Sequence, residues 1–446
     1  MKKIICLVLG LLLSCACFVG CNAEEPIEEP SEKPSTSPPS YVEPTPNSGI
    51  VSATINKVEA KTLTLEYNDT SIQKKIIKGS YIDAYMSSRI VENKAIIGWS
   101  TTQNGGAYTS KIDNDVTLYA VLGDYVKYNH TKTEEDAYTV TVKANSNEKA
   151  FFMDFNDIKA IDVQTQADLD AQVEIAKQQK EQEAIAEKLA EKQLADPTAT
   201  LTEQEIQEIK DNLYRQDPNY GVDISFTPEL TKKFTLSVES SIEFIYIKGV
   251  AGSEIDLQLN TFIRQKPLCV TLDNANINSS ASKAVFDFTN VIGAVSVIET
   301  VGSSKISCKN YSAGVLANDG NVSITGDGVS SLTVMGGDNN GDYAGTAVNA
   351  KKLVINNLTF NAKGGANTSG QGGVAILSSS EFSLVQSAVS AVGGDGKTGG
   401  YSFSYAKDAV MNLVPNSFVF TGLGGKGETA EKDGKDFKFS YLGYSD

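Results

Sequence analysis

Asp338-Asn339-Asn340-Gly341-Asp342 sets two carboxylates and two amides in one flexible turn, oxygen ligands that suit a hard cation such as calcium. Asp395, in Gly393-Gly394-Asp395-Gly396, stands in a similar glycine turn further on, so Asp338, Asn340, Asp342 and Asp395 form the candidate metal set. The same residue types also stabilise turns and tolerate left-handed backbone, a role that needs no ion. Other chemistry-bearing residues are scarce. The chain has one histidine, His130, and three arginines, Arg89, Arg215 and Arg264. A Ser/His/acid triad would have to use His130, yet it lies in the polar string Tyr128-Asn129-His130-Thr131 and no GxSxG elbow exists. An exposed loop or strand edge is its expected place. There is no HExxH, no CxxC pair, no P-loop and no GxGxxG between a strand and a helix, so no residue is assigned to catalysis.

The first residues place these groups in the cell. Lys2 and Lys3 precede an apolar run from Ile4 to Val19, short for a bilayer span and suited to a secretory signal. The ending Phe18-Val19-Gly20-Cys21 resembles the lipobox of bacterial lipoproteins, which implies that Cys21 is diacylated and becomes the mature N-terminus; Leu12-Leu13-Ser14-Cys15 is a second box with a shorter core. Residues 22–49 are acidic and rich in Pro and Ser, with almost nothing to bury, and read as a disordered linker. At about 3.1 Å per residue such a linker lifts its cargo roughly 85 Å from a membrane. The expected location is the bacterial cell envelope, lipid-anchored and surface-exposed.

The chain of 446 residues carries a net charge of −16 and no Lys/Arg cluster, which argues against nucleic acid as a partner. Four of six cysteines lie in the signal region; Cys269 and Cys308 either pair or fill a core as small residues.

Residues 50–123 alternate apolar and polar, with Asn104-Gly105-Gly106 as a turn signal and Val116 to Ala120 as a closing strand. Gly98-Trp99, Gly105-Gly106 and Asp115 to Ala120 resemble the internalin-type B-repeat, also called the Listeria/Bacteroides repeat, over about Val51 to Leu122. The resemblance implies a small β-grasp-like module used as a spacer or adhesive unit on bacterial surfaces. Trp99, the only tryptophan, is expected to fill its core.

Residues 124–249 form a mixed connecting region in which DAYTVTVKA and KAFFMDF read as strands. A helical hairpin is expected over 165–216. Leu169, Val173, Ala176, Ile185 and Leu189 make an apolar stripe, Asp196-Pro197 stops the helix, and Thr202 to Glu205 is a capping box before Ile206, Ile209 and Leu213.

Over 250–446 the chain turns to Gly, Asn, Ser and short β-branched runs. Gly-Gly pairs at Gly336, Gly364, Gly393 and Gly424 are spaced 28, 29 and 31 residues apart, each preceded by a similar phrase such as VSSLTVM or LVINNLTFNAK. Recurring short strands without amphipathic helices between them indicate a β-solenoid. The expected fold is therefore mainly β: a β-grasp-like module, a helical hairpin insertion, and a C-terminal right-handed parallel β-helix. The last stretch resembles the non-catalytic β-helices of carbohydrate-binding surface proteins; polysaccharide lyases and hydrolases share the look but need bases that this segment lacks, Arg264 being its only arginine. The leading expectation is adhesion or glycan binding without catalysis, to a polysaccharide or a host surface glycan or protein. A structural spacer is the alternative, and a polysaccharide-degrading enzyme the third reading. Tyr343, Tyr401, Phe403 and Tyr405 are the aromatic candidates for sugar stacking, or for core and cap.

Overall fold

The computed structural model describes residues 53–130, 138–218, 227–442 and 444; the expected signal peptide, Cys21 and the linker lie outside them. Ser48–Asp446 forms one compact unit, and the protein is mainly β, 43% strand and 18% helical, with parallel sheets. Among the described residues no helix is long and apolar enough to cross a membrane.

Ten strands make one parallel ladder, in the order Thr54–Lys57, Val410–Leu413, Ile376–Val385, Val348–Asn356, Val315–Thr325, Val295–Val301, Leu268–Asp273, Phe244–Lys248, Ala150–Asp154 and Tyr125–Lys127. A second run pairs Thr139–Val142, Phe234–Val238, Leu257–Thr261 and Phe286–Asp287, then joins the first halves of Val315–Thr325, Val348–Asn356 and Ile376–Val385 before Phe403–Tyr405. A separate six-stranded sheet stacks Asn276–Ser279, Ser303–Cys308, Ser331–Met335, Thr359–Lys363, Ala388–Val392 and Val419–Leu423, again all parallel. Each repeat thus supplies three strand segments, and each segment pairs with its counterpart one repeat on. Alternation explains the inside: Leu332 and Val334 stack on Phe360 and Ala362, and these on Val389 and Ala391, all buried. Each such side chain contributes about 1.5–3 kcal/mol when large and fully buried. At the turn from the long ladder into the six-stranded sheet, Asn274, Asn357, Gln386 and Asn416 adopt positive φ, and Gly302 and Gly328 do so in the two intervening repeats.

The ladder starts well before residue 250. Ala150–Asp154 pairs with Phe244–Lys248 in the same register series as Leu268–Asp273, although about ninety residues separate the first two in sequence. What intervenes is the hairpin. Helix α1, Phe155–Ala195, follows its strand without a break, because Asp154 caps it by accepting the Asn156 N–H. It therefore begins ten residues earlier than its apolar stripe suggests, and Phe155 and Ile158 in its first turn cover the core beside Phe234. Helix α2, Glu203–Gln216, opens on the full capping box of Thr202 and Glu205, and the ion pairs Lys192–Glu205 and Lys210–Glu181, each 2.7 Å, tie it to α1. At the opposite end of the ladder Phe382, Phe403, Phe420, Phe437 and Phe439 close the core as an aromatic cluster, with neighbouring centroids as close as 4.8 Å.

Residues 60–123 form a five-stranded sheet in the order Thr70–Ile77, Ala60–Tyr67, Val116–Gly123, Lys94–Ser100, Ile90–Val91, with the parallel pair of Ala60–Tyr67 and Val116–Gly123 at its centre. Trp99 is 2% exposed among Leu63, Leu65, Tyr85 and Leu118, and donates its indole N–H to the Ser87 carbonyl at 3.0 Å. This module lies on the outer face of the long ladder. Its flanking strands reach both ends: Thr54–Lys57 pairs with the last repeat and Tyr125–Lys127 with the first.

Candidate functional site

The Gly-Gly pairs follow directly on the strands of the six-stranded sheet, after Met335, Lys363, Val392 and Leu423, which are paired one to the next. Their spacing in sequence is the register of that sheet. Each pair opens a short loop, covering residues 336–345, 364–373, 393–400 and 424–434, and each loop closes on another glycine: Gly345, Gly373, Gly400 and Gly434. The closing glycine presses on the opening one. A Cβ on Gly336, Gly364, Gly393 or Gly424 would come within 2.0 Å of the carbonyl oxygen of Gly345, Gly373, Gly400 or Gly434 respectively. Backbone hydrogen bonds then weave the two glycine files together: Gly345 N–H to Gly337, Gly365 to Gly345, Gly373 to Gly365, Gly394 to Gly373, Gly400 to Gly394, Gly425 to Gly400 and Gly434 to Gly425, all 2.7–2.9 Å. Only residues without side chains permit backbones this close.

Beyond these necks the loops stack on one another. Asp338 Oδ1 accepts the Ala366 N–H at 2.7 Å, and Asp395 Oδ1 accepts the Lys426 N–H at 2.7 Å, so two of the four candidate metal ligands hold the next loop's backbone. Asn340 Oδ1 accepts from the Thr368 hydroxyl at 2.8 Å, and the Asp342 carbonyl accepts the Gln371 N–H at 2.8 Å. Among the described residues no group of three or more His, Cys, Asp or Glu side chains converges as a metal cage. A cleft of about 350 Å³ opens along the stack, lined in part by Asn367, Thr368, Asp395, Lys397, Lys426 and Glu428. Asn367 is buried there, its side-chain oxygen accepting from the Ser369 and Gly370 amides, which fixes the loop that walls the cleft. Of the aromatic candidates, Tyr343 is 47% exposed on this stack, Phe403 and Tyr405 belong to the aromatic cluster, and Tyr401 is partly buried.

Two polar clusters lie elsewhere. His130 is buried, not at an exposed edge: its Nδ1 lies 2.9 Å from the Tyr128 hydroxyl and its Nε2 3.3 Å from Glu229. Tyr138 donates to the same carboxylate, and burial together with Glu229 pushes its hydroxyl up to about 12. Asp162 of α1 accepts the Glu229 and Leu230 amides, so this cluster roots the hairpin in the first repeats. The polar string around His130 concealed it, because Glu229 stands 99 residues away.

The second cluster fastens the module to the ladder. Glu299 is wholly buried, with Arg89 at 2.5 Å and Lys74 at 3.5 Å, and accepts further bonds from Ser87, the Ser88 N–H and Thr271. Burial pushes its carboxyl up, but the charges of Arg89 and Lys74 and the bonds from Arg89 and Ser87 outweigh this and hold it at about 2. Desolvation lowers the Lys74 ammonium. Cys269 and Cys308 are free thiols: Cys269 is buried under the module, its Sγ 3.8 Å from the Met86 carbonyl, and burial pushes Cys308 up to about 11. Arg264 is also buried, donating to the carbonyls of Lys266, Glu239 and Pro267. It shapes a loop.

Compared with protein-family models, with curated proteins and with solved structures, the chain matches none.

Proposed function

We propose that this is a lipid-anchored bacterial surface protein whose parallel repeats wind as a right-handed β-solenoid and whose stacked glycine-necked loops bind an extended polymer, a glycan, without cutting it. The observation that carries the reading is the loop stack. Four loops repeat at the strand spacing of about 4.8 Å, their necks fixed by close backbone contacts, and the last three of them set Asn367, Thr368, Asp395, Lys397, Lys426 and Glu428 along one shallow cleft. Mixed hydroxyl, carboxylate and ammonium groups on successive loops suit a polymer of hydroxyls, and Tyr343 offers one exposed ring on the first loop of the stack. Residues 54–123 act as a β-grasp-like B-repeat module that straps the solenoid. The signal, Cys21 and the linker would hold the assembly outward on its anchor.

A glycan array on Ser48–Asp446, with and without calcium, tests the reading. Retention that falls on substituting the exposed Thr368 and Lys397 together, in a variant that melts as the wild-type chain does, supports it. Neither retention nor cleavage leaves a structural spacer, and steady release of reducing ends would make the protein an enzyme.

A further inference from the structure

The long ladder ends on Val410–Leu413, and the strand covering that end comes from the other end of the folded unit. Thr54–Lys57 pairs with it in parallel, Thr54 on Val410 through Lys57 on Leu413. The contact is short, four paired residues, with the Lys57 ammonium 5.2 Å from the centre of the Tyr444 ring. Thr54 N–H donates to the Ala409 carbonyl at 2.9 Å, Val58 N–H to Leu413 at 3.0 Å, and the Asn56 amide to Asn412 Oδ1 at 3.1 Å. Thr54, Asn56 and Lys57 are exposed; Ile55 alone turns inward, over Met411 and against the core. The other two edges at this end are closed by the C-terminal segment, Phe437 bridging to Gly422 and the Lys435 carbonyl accepting from Ser402. Only the long ladder depends on a strand from the far end of the chain.

The geometry points to Thr54–Lys57 as a detachable guard over a self-pairing edge, and to the same edge of a second copy of this chain as the partner that fits it once bare. An uncovered strand offers a row of free N–H and C=O groups that will template pairing with another strand. A two-fold axis sets Val410–Leu413 of one copy antiparallel to Val410–Leu413 of another, so each edge supplies what the other lacks, the self-complementary contact of a closed dimer. Met411 and Leu413, both fully buried beneath the guard, give that contact an apolar centre. Lifting the guard does not require the module to move. Val58 and Glu59 join it to the module's first strand, and the module is held separately by Glu299 and by bonds from Asn356 and Asn357 to the carbonyls of Lys75 and Gln73.

The test is the mass of Ser48–Asp446 in solution. In Ile55→Asp/Asn56→Pro a charge replaces the one inward side chain, and proline removes the N–H that strand alternation aims at the ladder, between those of Thr54 and Val58. Light scattering over roughly a hundredfold range of concentration should show its mass doubling while the wild-type chain stays single. A control, Asn56→Cys/Asn412→Cys, joins residues paired across adjacent strands and within reach of a disulfide. Oxidised, it should hold a single mass even when Ile55→Asp is added. A folded double variant that keeps a single mass throughout overturns the proposal. If the double variant unfolds, Asn56→Pro alone carries the test with the same outcomes; unfolding of that variant too would make the strand integral to the fold, which also overturns the guard.

Discussion

Glu299→Gln should free the module from the ladder, and its size can be worked from the structure. The ordinary glutamate value is 4.5 and Glu299 is held at about 2. At 1.36 kcal/mol per unit that difference is worth about 3 kcal/mol of folded-state stability. Removing one partner of a buried ion pair costs about 3–5 kcal/mol by a separate route, because Arg89 is left charged and dry, while Lys74, already lowered by desolvation, loses the carboxylate that holds its proton. The two figures agree. Trp99 is the only tryptophan and sits in the module core, so its fluorescence in a urea titration reads the module while far-ultraviolet circular dichroism reads the strands as a whole. The Trp99 transition should move down by about 3 kcal/mol in Glu299→Gln, with the repeats largely intact. The pH dependence has a definite sign. Because the folded-state value is depressed, the contribution is full above about 4.5 and fades as pH falls toward about 2, so acid should release the module of the wild-type chain in that window, and the fall should be smaller in Glu299→Gln, which keeps exposed carboxylates such as Glu59, held at about 2 by Lys61 and Lys78. The triple substitution Lys74→Met/Arg89→Met/Glu299→Leu should recover most of the loss, since well-packed apolar side chains often replace a buried ion cluster without penalty. A Trp99 shift below about 1 kcal/mol in Glu299→Gln, or a wild-type transition flat between pH 5 and 3, would refute the reasoning.

Gly364→Val places a Cβ 1.9 Å from the Gly373 carbonyl and 2.9 Å from the Gly394 amide, so it should destabilise by about 1–3 kcal/mol or more in a thermal melt. Gly106→Ala, with nothing within 4 Å of its Cβ, should not. Asp395→Ala should cost about 1 kcal/mol through the unpaired Lys426 amide; a rise of the wild-type melting temperature in millimolar calcium that is lost in that variant would support the metal reading, and no rise would favour the turn-stabilising one. Cys21→Ala should move the protein from the membrane to the aqueous fraction of lysed cells, and loss of anchoring in Cys15→Ala instead would shift the lipidated residue to Cys15.

The repeat was legible because glycine marks it. Gly336, Gly364, Gly393 and Gly424 are adjacent in space for the same reason that they recur in sequence, each ending a strand of one sheet. Their partners Gly345, Gly373, Gly400 and Gly434 were not legible. The loops between are of unequal length, and a lone glycine in a loop looks like any turn. The earlier repeats were obscured in another way: Ala150–Asp154 and Phe244–Lys248 read as unrelated strands because α1 and α2 were inserted between them. Glu299 gave no signal at all. It stands in VSVIETV as an ordinary outward polar residue, and only the module docked on top of it, 225 residues away at Lys74, makes that face dry. His130 misled through composition, since local polarity says nothing about a carboxylate brought in from Glu229.

That docking also orders assembly. Thr54–Lys57 cannot pair until Val410–Leu413 exists, a separation of 356 residues between Asn56 and Asn412. Closing so long a loop in an open chain costs about 5 kcal/mol by the logarithmic rule, more than four ladder positions with one inward side chain return. Once the ladder has formed, the cost changes character. Tyr125–Lys127 already fixes the module's far end on the first strand pair, and nine spacings of about 4.8 Å put the other end roughly 43 Å away. The folded module then carries its leading strand across the outer face, with Glu299 and the Asn356 and Asn357 amides holding it along the way. The strap is therefore the last part to close and the first to open, and its opening leaves the repeats beneath it intact.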